Sequence, residues 1–286
     1  MPDLAISIDL LPSDWMTIFY LGITAVLVAV FRRNLAYWPI YLLVHIALVI
    51  GILLLSAAPK GLPPVLQVLR DAYPLATIPV FYWGVARLTQ LIFQDYFDSL
   101  IVRWDNWLFK MQPSIELSQR YPSVMLSEFL HLCYFSYYGI VVFLGAVLYI
   151  QGRTEAFHIT VFTEIFAFNV CLIWYIFMPV TGPRYDREKI GGTQANGFFY
   201  KLTHTILSRA SSKGTAFPSS HVAIAVVVLL CAARYDLMSF LILLPLCVGL
   251  IIGTVYGRFH YATDAIAGTV LGCVIFSIAP TVYQWL

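Results

Sequence analysis

Charge is what this chain has little of: Asp, Glu, Lys and Arg make up 11% of its 286 residues and hydrophobic types 60%, where a soluble domain carries about 25% charged residues. That scarcity excludes an ordinary water-soluble fold. The net charge of +2 comes without a polybasic run, so nucleic acid is not indicated as a partner. There is no C-x-x-C pair among Cys133, Cys171, Cys231, Cys247 and Cys273. Each lies in or beside an apolar run, where a thiol reads as a small buried hydrophobe and says nothing about redox compartment. Residues 1–14 hold three aspartates and no Lys or Arg. They lack the basic region of a secretory signal, so the first apolar run is expected to remain as a membrane span. No internal repeat, low-complexity segment or second globular domain is visible.

What is present is apolar sequence in long runs. A helix needs about 20 residues to cross a bilayer, and the runs suit that length better than the alternating ten-residue strands of an outer-membrane barrel. The expected fold is all-α, a polytopic membrane bundle of about eight helices, with spans at 15–31, 35–58, 72–93, 127–150, 157–180, 222–233, 237–256 and 263–283. A Pro-rich linker at 59–64 ends the second span. Pro74 and Pro79 in the third are tolerated because neighbouring helices satisfy freed carbonyls. Arg87, near its end, can snorkel to the surface. Glu128, His131, His158 and Glu164 lie close to span ends, where an interior hydrogen bond or a water-facing position accounts for them as well as catalysis does.

One helix is expected to lie flat. Between residues 95 and 111, Phe97, Leu100, Ile101, Trp104, Trp107, Leu108 and Met111 recur at steps of three and four, with Asp95, Asp98, Arg103, Asp105 and Lys110 opposite. That pattern, with two tryptophans on the apolar side, fits an amphipathic helix in the headgroup plane.

The chemistry gathers between Lys213 and Asp264. Two apolar spans separated by Arg234-Tyr235-Asp236 form a transmembrane hairpin, so His221 and His260 finish at one membrane surface. Pro218, Ser219, Ser220 and His221 open a helix, whose free N–H groups, hydroxyls and positive dipole end favour an anion. His260 and Asp264, four residues apart, share a helical face, so the carboxylate can hold one ring nitrogen while the other points outward. Arg184, in the long polar loop 181–216, and Arg258 reach the same surface and suit bidentate phosphate contacts. Attack by one imidazole on phosphorus, with proton donation to the leaving oxygen by the second, fits this set. A metal site with His221, His260 and Asp264 as ligands is the other reading, which the neighbouring arginines disfavour. A transporter would instead carry ionisable groups near the bilayer midplane and two similar halves.

At these residues the chain resembles the type 2 phosphatidic acid phosphatase superfamily, especially its branch with fungal inositol phosphorylceramide synthases. Gly182-Pro183-Arg184, Phe217-Pro218-Ser219-Ser220-His221 and His260-Tyr261-Ala262-Thr263-Asp264 look like its three motifs in order. The resemblance covers the last six spans. It implies a six-helix core at 72–286, with 1–71 as a two-span N-terminal addition and linker. It further implies His260 as the nucleophile that forms a phosphohistidine, Asp264 as its orienter and His221 as general acid. Arg184, Ser219 and Ser220 would bind phosphate, joined by Arg258 and Lys213, with no metal and no organic cofactor. The implied substrate is a lipid phosphate or phospholipid in the bilayer, and the expected activity is a lipid phosphate phosphatase, with head-group transfer to an alcohol as the alternative. Phe177 stands where the phosphatase pattern has a lysine, and Gly253-Thr254 where it has Ser-Arg. Arg258, two residues before His260, is similar to what sphingomyelin synthases show and shifts weight towards transfer. The motif surface holds about 12 of the 17 Lys and Arg, which the positive-inside rule would make cytoplasmic. The resemblance implies the external or lumenal face, and that orientation is the expectation.

Overall fold

Proline marks where several helices start: Pro12, Pro64 and Pro113 each take the first helical position, where a missing N–H costs no hydrogen bond. The computed structural model describes residues 9–57, 62–186 and 189–286. Residues 1–8 of the acidic N-terminal segment, 58–61 of the linker and 187–188 of the polar loop lie outside the described residues. The helices run α1 (Pro12–Val30), α2 (Trp38–Ser56), α3 (Pro64–Val85), α4 (Asp98–Phe109), α5 (Pro113–Arg120), α6 (Val124–Phe135) and α7 (Tyr137–Ile150). They continue as α8 (Thr154–Phe177), α9 (Pro183–Asp186), α10 (Phe198–Ala210), α11 (Ser220–Tyr235), α12 (Leu237–Tyr256) and α13 (Ala262–Trp285). Among the described residues the one β feature is a bridge between Val180 and Thr215. The all-α expectation holds.

By length and apolar character α1, α2, α8, α12 and α13 can cross a membrane, and α6 with α7 make a sixth span if taken as one. The chain is a multi-pass integral membrane protein. The expected count of eight is not confirmed: α11 is 16 residues long, and Gln67, Arg70 and Asp71 interrupt α3. Helix α3 also begins two turns before the expected span. The span expected at 127–150 is two helices bent by 50°. At the break Ser136 donates its hydroxyl to the Cys133 carbonyl at 2.7 Å, back-bonding of the kind that bends helices. The polar loop 181–216 is largely helical. Glu128 of α6 accepts from the N–H groups of Phe199 and Tyr200, both at 3.0 Å, and so caps α10 from a neighbouring helix.

Helix α8 is the centre of the bundle, packed by α1, α3, α7, α11 and α13. Its Glu164 is fully buried with neither carboxyl oxygen paired, so it shows neither the interior hydrogen bond nor the water-facing position offered for it. Arg87 does lie at the end of α3, stacked over Trp83 at 4.2 Å. Of the cysteines Cys273 is exposed and the other four are buried. Helix α4 departs from the expected amphipathic face. Asp105 and Ile101 are fully buried while Trp107 is 71% exposed, so the side carrying the aspartates faces the protein. At the other end of the bundle Arg70 of α3 donates to Asp14 of α1 at 2.5 Å, and Tyr73 and Ser56 also donate to that carboxylate. This knot ties the first three helices together.

Candidate active site

The α11–α12 hairpin returns the chain to the surface it left, and the His221 and His260 rings finish with centroids 6.0 Å apart. Helix α13 then packs tightly on α11. The Ser219 N–H donates to the Asp264 carbonyl at 3.1 Å, and a Cβ added to Gly268 would meet the Ser219 carbonyl oxygen at 2.5 Å. Only glycine allows that approach. The loop carrying Arg184 closes the third side. Gly182 there has φ of +84°, and a Cβ on it would lie 3.0 Å from the Phe259 carbonyl oxygen. The N–H of Ala216 donates to the Val180 carbonyl at 2.9 Å, joining the first two motif loops.

His260 is 5% exposed. Its Nδ1 lies 3.0 Å from the carbonyl oxygen of Ala216. A carbonyl can only accept, so Nδ1 carries the proton and Nε2 keeps a free lone pair. Asp264 Oδ2 faces the same Nδ1 at 3.4 Å and accepts from the Tyr261 N–H at 2.9 Å. The nearer orienting group is therefore the Ala216 carbonyl, with the carboxylate behind it. Burial pulls the pKa of His260 down to about 4, against a smaller upward pull from the bond to Ala216, so the ring is neutral at neutral pH. His221 is held between two tyrosines: Tyr134 stacked on it at 5.2 Å and Tyr137 tilted against it at 4.3 Å between ring centroids. The Tyr134 hydroxyl is 3.5 Å from Nε2.

His221, His260, Arg184 and Tyr134 line one cavity of about 40 Å³. The Nη1 of Arg184 is buried there without a hydrogen-bond partner, and burial pulls the guanidinium pKa below its usual value. An anion entering the cavity would relieve both costs. His221 also lines a second, mostly apolar groove of about 390 Å³ between α3 and α7, bounded by Tyr82, Trp83, Tyr138 and Val142. Polar cavity and apolar groove meet at that ring.

Other expected phosphate ligands sit elsewhere. Ser219 is fully buried, with its Oγ accepting the Val222 N–H at 3.4 Å as the cap of α11. Ser220 lines the apolar groove. Arg258 donates to Ser118 of α5 at 3.0 and 3.3 Å and does not line the cavity. Lys213 stays at the rim, its Nζ 5.6 Å from the Tyr185 ring. Among the described residues no three His, Cys, Asp or Glu side chains converge as a metal ion would require. Sequence reasoning missed the Ala216 carbonyl, which has no sequence signal, and Tyr134, whose signal was the aromatic run opening the fourth expected span.

The site is that of a membrane protein in which two imidazoles and a guanidinium with one unpaired nitrogen line a cavity that shares His221 with an apolar groove. The family model described as the PAP2 superfamily matches residues 99–278, so the chain belongs to that superfamily of phosphatase-type membrane enzymes. Comparison with curated proteins and with solved structures returned no match to either.

Proposed function

We propose that the protein hydrolyses a lipid phosphate monoester through a phosphohistidine on His260. The observation that carries this is the unpartnered Arg184 Nη1 in the cavity shared by both histidines, with the apolar groove placed to take a lipid tail. The free Nε2 of His260 attacks phosphorus in line, the P–O bond to the lipid breaks, and His221 gives its proton to the departing oxygen. Water, deprotonated by His221, then attacks phosphorus, the P–N bond breaks, and inorganic phosphate leaves. Arg184 balances the charge on the equatorial oxygens. The same intermediate would pass its phosphoryl group to an alcohol if one reached the cavity before water. Transfer of the inositol phosphorylceramide synthase type is a second reading, which the resemblance at Arg258 favours.

We assign the active face to the extracytoplasmic or lumenal side on the same resemblance, and the six-helix core to 72–286. Labelling of a single cysteine placed at Lys201 in intact cells checks the first. Purified protein incubated with phosphatidic acid should release phosphate, and His260→Ala should abolish it while remaining folded. Full turnover by His260→Ala across a panel of lipid phosphates would overturn the proposal.

A further inference from the structure

Helix α4 touches all three motif segments. Asp98, at its start, accepts from the N–H of Thr181, the N–H of Gly182 and the Thr181 hydroxyl, each at 2.9 Å. Trp104 packs edge-on against Phe217 with centroids 5.9 Å apart. Asp105, one heptad on from Asp98, accepts from the Ala262 N–H at 3.2 Å, the Thr263 N–H at 2.9 Å and the Thr263 hydroxyl. Between the two aspartates Ile101 is fully buried in a cluster with Val180, Ala216, Phe217 and Tyr261.

These contacts bear directly on the reacting groups. The first N–H groups of a helix have no partner within it. In α13 Asp264 takes that of Tyr261, while Asp105 takes those of Ala262 and Thr263 from outside the helix. The turn carrying His260 is thereby fixed without drawing Asp264 away from the ring. Asp98 does the same for the loop that ends at Arg184, since its two backbone donors immediately precede Pro183-Arg184. Charge-assisted bonds of this kind, away from water, are about twice as strong as neutral ones.

We propose that Asp98 and Asp105 are positioning residues: α4 is the strut that holds Arg184 and His260 in register on one phosphoryl group. The proposal rests on the phosphatase reading of the site. Asparagine is the informative replacement, because it keeps size and one acceptor oxygen but turns an amide N–H towards a backbone N–H. Two measurements are made on Asp98→Asn, Asp105→Asn, His260→Ala and wild type: phosphate release from phosphatidic acid per folded molecule, and the affinity for orthovanadate, a mimic of five-coordinate phosphorus, read from its shift of the melting temperature.

A misplacement near 1 Å costs about 100-fold in rate. Asp105→Asn should therefore lose about 100-fold in turnover and Asp98→Asn about tenfold, with vanadate affinity weakened at least tenfold in both. A purely structural role would lower the melting temperature and leave turnover per folded molecule and vanadate affinity at wild-type values, which overturns the inference. If Asp105→Asn does not fold, Thr263→Val, which removes one bond to that carboxylate and keeps both backbone donors, is measured in its place, with a loss of about threefold to tenfold. Turnover by His260→Ala, or none by wild type, would instead count against the phosphatase reading, and the vanadate arm would still decide the role of the aspartates.

Discussion

Replacing Gly268 with alanine should separate packing from chemistry. The added Cβ would sit 2.5 Å from the Ser219 carbonyl oxygen, where ordinary contact begins near 3.4 Å, so α11 and α13 must part by about 0.9 Å. The atom it meets is backbone, so no rotamer change relieves it. His221 opens α11, and the His260 turn with Asp264 opens α13, so the parting moves the two halves of the site against each other. A shift of this size in reacting groups costs about 100-fold in rate, and overpacking costs about 1–3 kcal/mol of stability. Initial rates of phosphate release in mixed micelles, normalised to folded protein by size-exclusion chromatography, read the first, and melting temperature reads the second. Gly272→Ala is the comparison: its Cβ would meet the Ala223 carbonyl oxygen at 2.7 Å, one turn further from the histidines, so it should destabilise similarly and lose less activity. At Gly22 nothing lies within 4 Å of a Cβ, and alanine there should be neutral. Wild-type turnover by folded Gly268→Ala would refute the claim that this close approach sets the distance between the imidazoles.

Three further outcomes follow from the same structure. His260 is held near pKa 4 by burial against 6.5 when unfolded, so between those values the unfolded chain binds more protons. Stability falls as pH drops through that window, by about 2 kcal/mol from pH 7 to pH 5 on this group alone; thermal melts of wild type and His260→Ala across it measure the difference, and equal pH slopes would contradict it. Arg70→Ala leaves the buried Asp14 carboxylate without its cation, held only by the neutral donors Tyr73 and Ser56, a loss of about 3 kcal/mol, yet turnover per folded molecule should be unchanged because the knot lies at the opposite end of the bundle. Arg184→Ala should weaken orthovanadate binding at least tenfold, measured by inhibition, whereas Arg258→Ala should weaken it less, since Arg258 is occupied by Ser118 and lies off the cavity.

Much of this was legible in the sequence because membrane spans and motif order are local signals. The runs around α1, α2, α8, α12 and α13 read correctly from apolar length, and the hairpin rule brought His221 and His260 to one surface. The failures are all matters of direction or of tertiary contact. Asp98 and Asp105 read only as the side of α4 opposite its tryptophans, with nothing in the spacing to say that this side meets the motif loops; in the fold Asp98 accepts from Thr181 and Gly182 and Asp105 is fully buried, while Trp107 is exposed. Ser219 reads as a phosphate ligand from its motif, but the first duty of a serine before a helix is to cap it. Arg258 is displaced by its partner Ser118, 140 residues away, and no pattern within the chain reveals that pairing. The helical content of the polar loop escaped because α10 draws its cap from Glu128 on another helix.

The most direct measurement is the site of covalent labelling. Wild-type protein mixed with phosphatidic acid labelled at phosphorus, quenched in alkali within the first turnover and digested for mass spectrometry, should carry phosphate on the Nε2 of His260 and lose it in acid. Label on any other side chain, or turnover in the wild type with no phosphorylated intermediate under the same quench, would contradict the account.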